Sequence, residues 1–427
     1  MNSLENWTHR LLRRGERLFK LDMVYIAKGG FWTSFRFTVG LLTSVASMIA
    51  FGNLLPKEDY GVYSYLLSLA ASLGFLTLSG IGPAVTRAVA RGQRNILRYA
   101  LSLQLRYNLL ALVTIAAAGA YYFNKGNLVF ALSLLILALV LPIESAFHIY
   151  EHFLIGHKKF DTLAILSSIF SIGAMAATVL TLLLTDNVLI LIAVYAIVSF
   201  GPSFFTYKWI AKNLPKEEPP EEAVTELRHS AFHITGAGII GTLANYLDKI
   251  ILFQVAGPSS LAIYGFAIAG PERIKGLLKN WISIAMPRLS ERNADEIHKH
   301  FYQRLGLAMI GGAAMASAYI MLSPFLFKWF LPKYLDSILY SQVYSLGLIV
   351  LPISIYVGNV FYSQNMLKAI YISSTGVQLL RISLLLFLGW RWQTWGLIAA
   401  WLSTQLISAA YVIYVWERER IRLKITG

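Results

Sequence analysis

Five basic side chains, Arg36, Arg273, Lys275, Lys279 and Arg381, fall inside long apolar runs instead of between them. A charge within an apolar helix is costly to bury and usually faces a bundle interior or a water-filled cavity. Guanidinium stays charged and binds phosphate through two parallel hydrogen bonds, so an Arg-rich interior suits a phosphate-bearing ligand. Arg36 lies about eight residues into its run, roughly 12 Å along a helix, too deep to reach the interface comfortably. It either lines a cavity or pairs with carbonyls of a neighbouring helix.

The stretch Gly270-Pro-Glu-Arg-Ile-Lys-Gly276 concentrates this chemistry. Glu272 and Lys275, three apart on a helix, are expected to pair, which leaves Arg273, about 100° away, to find another partner. Pro271 removes a helix hydrogen bond and predicts a kink. Kinked cationic backbone deep in a span is typical of a transport site; the alternative is a span that ends early in a wetted helix. Of the neighbours Asp248 and Lys249, the lysine can snorkel while the shorter Asp248 is expected to face water or a cation. Arg381, one turn from Gln378, needs an interior partner.

His148-Ile-Tyr-Glu-His152 matches H-x-x-E-H, a zinc signature of inverted metalloproteases. Here it closes an apolar run beside His157, Lys158 and Lys159, and no soluble domain follows. Protonatable residues at a helix C-terminus, where cations are favoured, are the simpler account. Glu144, one turn before His148, lies deeper and is the better candidate for coupling a proton or ion, unless it pairs with His148. The 427 residues hold no cysteine, so neither disulfide nor thiol chemistry arises, and no P-loop or Gly-rich dinucleotide turn is present.

These residues are positioned by apolar runs at 29–53, 61–82, 107–123, 128–150, 162–184, 188–210, 230–253, 260–285, 304–326, 338–360, 370–389 and 395–416. Each is long enough for a membrane helix. Hydrophobic residues make up 56% of the chain and charged ones 14%, well below the roughly 25% charged of soluble domains. Alternate gaps hold 26 and 6 of the basic residues, so the positive-inside rule places both termini in the cytoplasm. The net charge of +15 therefore belongs to helix ends and does not indicate nucleic acid.

Residues 1–28 lack a signal-peptide core and read as an amphipathic cytoplasmic segment, with Arg10, Arg13, Arg14 and Arg17 between Trp7, Leu11 and Leu18. Residues 212–228, with three prolines and five glutamates, read as an extended polar linker between six spans (29–211) and six more (229–416). A basic cytoplasmic tail, 417–427, follows. A weak repeat pairs Tyr63 with Tyr264, Ser34 with Thr235 and Gly40 with Gly241. In each half a proline, Pro83 or Pro287, is expected to close the second span, and the result is a parallel pseudo-repeat.

Leu54-Leu-Pro-Lys-Glu-Asp-Tyr-Gly-Val-Tyr-Ser-Tyr65, Gly80-Ile-Gly-Pro-Ala-Val-Thr-Arg87, Phe153-Leu-Ile-Gly-His-Lys-Lys-Phe160 and the stretch around Leu247-Asp-Lys resemble the Wzx-type oligosaccharide flippases. That family sits in a superfamily with the lipid II flippase and the multidrug (MATE) exporters. The resemblance implies an all-α integral membrane protein, with about twelve helices in two six-helix lobes around a central cavity. It implies alternating access and, as cargo, an undecaprenyl-pyrophosphate-linked oligosaccharide, an O-antigen or other surface polysaccharide repeat unit, moved across the cytoplasmic membrane. Membrane lipids and other polysaccharide assembly proteins, such as a polymerase or chain-length regulator, are the implied partners, with no bound cofactor. On this view Arg36, Arg273, Lys275 and Arg381 form a cationic cavity, while Glu144 and Asp248 are candidates for coupling to H⁺ or Na⁺. A drug or ion antiporter and a membrane glycan polymerase or ligase are the rival expectations; the first calls for an acid-rich cavity and the second for a large outer loop.

Overall fold

The computed structural model describes residues 23–215, 217–284, 294–363, 366, 369 and 372–426. Most of the amphipathic segment expected over 1–28, together with Pro287, Arg288, Arg292 and Lys368, lies outside them. Among the described residues the chain is helical, with no strand. Nine helical stretches among them are long and apolar enough to cross a membrane, or ten if one sharply bent pair counts as a span.

The helices are α1 Met23–Leu54, α2 Lys57–Leu73, α3 Ile81–Ala90, α4 Ile96–Asn124, α5 Leu128–Phe147, α6 Ile149–Gly156, α7 Phe160–Leu184 and α8 Val188–Lys212. They continue with α9 Glu221–Ile284, α10 Ala294–Phe330, α11 Ser337–Ser345, α12 Gly347–Ser363 and α13 Val377–Thr426. In the first half α1 packs on α7, and α5 packs on α4 and α8; in the second, α12 packs on α10 and α13. The two halves meet where α9 lies along α2 and α3.

The breaks in this pattern have local causes. A 3-10 turn at Gly74–Leu76 ends α2, and α3 departs at 60°. Pro83 cannot accept a continuous helix through residue 79, because its ring meets the carbonyl four residues earlier. It stands in the first turn of α3, so it opens a helix instead of closing the span as expected. Amides freed at a break inside an apolar bundle need partners. Leu78 N donates to Asn108 Oδ1 (3.2 Å), and Gly80 N donates to Thr235 Oγ1 of α9 (2.9 Å).

The 64-residue α9 breaks once, at Gly257, whose φ of 81° and ψ of 179° no helix contains. Positive φ suits glycine, and the following Pro258 disfavours helical torsions in the residue before it. Helical torsions run through Pro271, and the one torsional break of this helix lies earlier, at Gly257. The 50-residue α13 has a similar break at Gln393 (φ 49°, ψ −126°).

Two further expectations change. Helix α9 begins at Glu221, where Glu221 and Glu222 favour the positive end of the helix. The non-helical part of the linker shrinks, among the described residues, to 213–215 and 217–220, pinned by Asn95 Nδ2 on the carbonyls of Glu217 and Glu218 (3.4 and 3.0 Å). Helix α4 begins at Ile96, not near 107, because Ile96, Leu97, Ala100 and Leu103 bury one stripe. Arg98 and Arg106 are consequently helical; Arg98 caps the end of α8 by donating to the carbonyls of Ala211 (2.8 Å) and Leu214 (3.3 Å).

The halves approach backbone to backbone at Gly61 of α2, as they do at Gly80, where a Cβ would stand 2.3 Å from the Ala231 carbonyl oxygen. A Cβ on Gly61 would stand 2.0 Å from the carbonyl oxygen of Pro258, so only glycine fits without movement. Around it, Tyr60 meets Phe266 (ring centroids 4.6 Å apart) and Tyr65 stacks on Phe253 at 3.9 Å. At the same end Asn53 Nδ2 donates to Phe330 O (2.7 Å), and Lys333 Nζ donates to Asn53 O (2.6 Å). The halves are thus sealed where α1 ends and α2 begins.

A cationic cleft between the first and ninth helices

Nearer the start of α1 the halves part. A cavity of about 490 Å³ lies between α1 (Thr33, Arg36, Phe37, Gly40, Leu41, Ser44) and the second segment of α9 (Glu272, Arg273, Gly276). That volume is in the range of ligand pockets. Gly40 adds no side chain, and nothing approaches within 4 Å of where its Cβ would be. Both deep arginines predicted from the sequence meet here.

Their surroundings differ. Arg36 is one-third exposed, and its Nη2 donates to both carboxylate oxygens of Glu151 on α6, at 2.8 and 2.7 Å. Arg273 has no carboxylate partner among the described residues. Its Nε and Nη2 donate to the hydroxyl and carbonyl oxygens of Ser44 (both 3.3 Å), and its Nη1 donates to Ala269 O (3.0 Å). Neutral partners leave its positive charge uncompensated within the cleft.

Lys275 and Arg381, expected beside these arginines, are not among the residues lining the cavity. Lys275 pairs with Glu272 (2.8 and 2.9 Å), as the helical spacing predicts, and sits 4.5 Å from the centre of the Trp401 ring. Tyr344 OH also donates to Glu272 Oε1 (2.6 Å). Arg381 donates to Asn245 Oδ1 (3.2 Å), with its guanidinium carbon 5.8 Å from the same Trp401 ring. Its Nε is buried without a partner, as is Gln378 Oε1. Lys279 is exposed.

Asp248 departs from expectation: it is 5% exposed and does not face water. Its Oδ2 accepts from Tyr264 OH (2.8 Å) and its Oδ1 from the Lys249 amide (2.8 Å), a tyrosine-capped carboxylate in the packed interior.

The H-x-x-E-H residues do not converge on a metal. His148 Nδ1 lies 2.7 Å from Glu144 Oε1 and its Nε2 lies 3.0 Å from Glu151 Oε1, whereas His152 turns to Thr86 (3.2 Å). Among the described residues no group of His, Cys, Asp and Glu has a metal-holding arrangement. A chain of charge results, Glu144–His148–Glu151–Arg36, running from the end of α5 into the cleft. Sequence reasoning found the Glu144–His148 contact as an alternative and missed Glu151 as the partner of Arg36. The one-turn spacings of 144, 148 and 151 signal that these three share a helix face, but carry nothing about Arg36.

The family model for polysaccharide biosynthesis proteins matches residues 26–291, more than half of the chain. Among curated protein sequences none matches it significantly. Solved structures share the fold at low identity. An inward-facing MATE multidrug transporter of the MOP superfamily aligns with TM-score 0.61 and 13% identity over 92% of this chain and 98% of that one. The outward-facing form of a MATE transporter aligns with TM-score 0.60 and 14% identity over 94% and 97%. A MOP superfamily transporter from Pyrococcus furiosus, with a binding pocket of reverse polarity, aligns with TM-score 0.57 and 15% identity over 94% and 95%.

Proposed function

We propose, starting from the fact that this multi-pass membrane protein belongs to the polysaccharide biosynthesis protein family, that it is a flippase for a polyprenyl-pyrophosphate-linked glycan. The carrying observation is Arg273, a guanidinium without a carboxylate partner among the described residues that shares a cleft with Arg36. A pyrophosphate supplies the missing anion and accepts bidentate bonds from both arginines. Lys275 and Arg381 lie outside the lining and contribute field only. The MATE fold supports alternating access, and a pocket of reverse polarity in one relative of that fold supports a cargo other than a drug cation. An antiporter of organic cations needs carboxylates facing its cavity; here Glu272 does so, but it is held by Lys275 and Tyr344.

Counting α9 and α13 as two spans each, and α2 with α3 as one, gives twelve spans in two lobes. The basic-residue asymmetry then puts both termini in the cytoplasm, the sealed end outside and the cleft in the inner half of a cytoplasmic membrane. The cargo is drawn from the inner leaflet and handed to later assembly proteins. Each negative charge moved outward through an inside-negative potential gains about 2.3 kcal/mol per 100 mV, so the potential assists export. Of the two acids considered for ion coupling, Glu144 retains a route to the cleft through His148, and Asp248 is sealed by Tyr264.

The test is transport in liposomes of a short-chain polyprenyl-pyrophosphate sugar. Wild type moves it to the outer leaflet, and Arg273→Ala does not. Equal transport by Arg36→Ala/Arg273→Ala and wild type would exclude the cleft as the cargo site.

A further inference from the structure

We infer that Glu151 is a built-in stand-in for the cargo's phosphate, and that Arg36 exchanges Glu151 for phosphate while the Glu144–His148–Glu151 group takes up a proton. This rests on the cargo reading above and adds a residue and a linkage to it.

The geometry has three parts. Arg36 gives one nitrogen, Nη2, to both oxygens of Glu151 (2.8 and 2.7 Å); both edges of a guanidinium that can make two parallel bonds include Nη2, so a phosphate bound that way has to displace Glu151. Arg36 lines the cavity and is one-third exposed, so an incoming anion can reach it. Arg273, on the facing wall, has no carboxylate of its own among the described residues. Phosphate therefore meets Arg273 first and competes with Glu151 for Arg36 second. A carboxylate reserved for the empty state keeps Arg36 oriented and prevents an uncompensated charge when no cargo is bound.

Exchange has an electrostatic consequence. With Arg36 withdrawn, Glu144 and Glu151 face each other across His148, two carboxylates against at most one imidazolium. Neighbouring negative charge favours proton uptake. The other polar groups around the trio are Ser203 and Tyr195 on α8, and Tyr150 and His152 on α6. Apart from Arg36, none of them supplies a permanent positive charge. One proton, drawn from cytoplasmic water through the open cleft, restores the balance, and it leaves when Glu151 regains Arg36. Cargo binding and proton binding are thus linked without a metal and without Asp248.

The experiment uses the full chain in lipid nanodiscs, with geranylgeranyl pyrophosphate as the probe and empty nanodiscs subtracted. Equilibrium binding is measured for wild type, Glu151→Gln and Arg273→Ala, and proton uptake on binding is read with a pH dye in weak buffer. Removing the competitor makes Glu151→Gln bind about tenfold tighter while its proton uptake falls towards zero. Wild type takes up about one proton per probe. A residue that only braces the helices would give weaker or unchanged binding on substitution. Weakened binding by Arg273→Ala with no tightening by Glu151→Gln overturns the exchange and leaves the cargo site intact. Unchanged binding by Arg273→Ala overturns the cargo site and the exchange with it. Should Glu151→Gln not fold, wild-type binding without proton uptake is itself sufficient to overturn the linkage.

Discussion

Replacing Arg273 with alanine should remove ligand affinity while leaving the fold nearly as stable, whereas Arg36→Ala should reduce both. Arg273 gives up three bonds to neutral oxygens, one of ordinary length at 3.0 Å and two at 3.3 Å, at the long end of the hydrogen-bond range. Their net contribution to folding is small. Taking a guanidinium–phosphate bond away from the bound state costs about 2 kcal/mol, or roughly thirtyfold in Kd. Arg36→Ala instead leaves Glu151 and Glu144 facing one histidine. Breaking a fully buried pair costs roughly 3–5 kcal/mol, and the one-third exposure of Arg36 brings this down to about 1–2 kcal/mol by solvent screening. Binding of geranylgeranyl pyrophosphate in nanodiscs gives the first quantity, and thermal unfolding of the same preparations gives the second. An Arg273→Ala protein that binds within twofold of wild type, or that melts as early as Arg36→Ala, would refute the assignment of Arg273 as the uncompensated charge.

Gly61→Ala must push α2 from the Pro258 carbonyl, an overpacking cost of about 1–3 kcal/mol; thermal unfolding should show a clear loss there and almost none for Gly40→Ala. Tyr264→Phe takes the hydroxyl donor from buried Asp248 and should destabilise by about 1–3 kcal/mol, and transport by the variant should keep the wild-type dependence on Na⁺. Reporter fusions at Asn124 or Asp186 should report the outside and fusions at Pro219 or Gly427 the inside; the opposite pattern would reverse the cleft to the outer half.

What could be read from the residues was chiefly what depends on composition along one helix. Arg36 and Arg273 stood out because a charge deep in an apolar run needs a polar surrounding, and both proved to line one cleft. Glu272 with Lys275 followed from spacing alone. Contacts between distant segments were not legible: Glu151 reaches Arg36 across 115 positions, and in the sequence its motif read only as protonatable residues at a helix C-terminus. The bend between α2 and α3 depends on Asn108 and Thr235, which accept the freed amides from two other helices, so no local pattern announces it. Asp248 misled because its tyrosine partner lies beyond the Gly257 break, on the returning segment of α9.

The contact between Gly61 and the Pro258 carbonyl also fixes a lever. Two backbones that touch with no side chain between them leave the halves little freedom to separate there, so the rocking proposed above would turn about that point while the second such contact, Gly80 against the Ala231 carbonyl, slides. Arg273 stands about fifteen residues along the helix from Pro258, an arm of roughly 22 Å. A rotation of about 15°, a size known for domains that turn against each other, would swing Arg273 by about 6 Å while the pivot stays almost still. That stroke exceeds the reach of its bonds to Ser44, so the guanidinium in the cleft would travel farthest for the least strain at the sealed end.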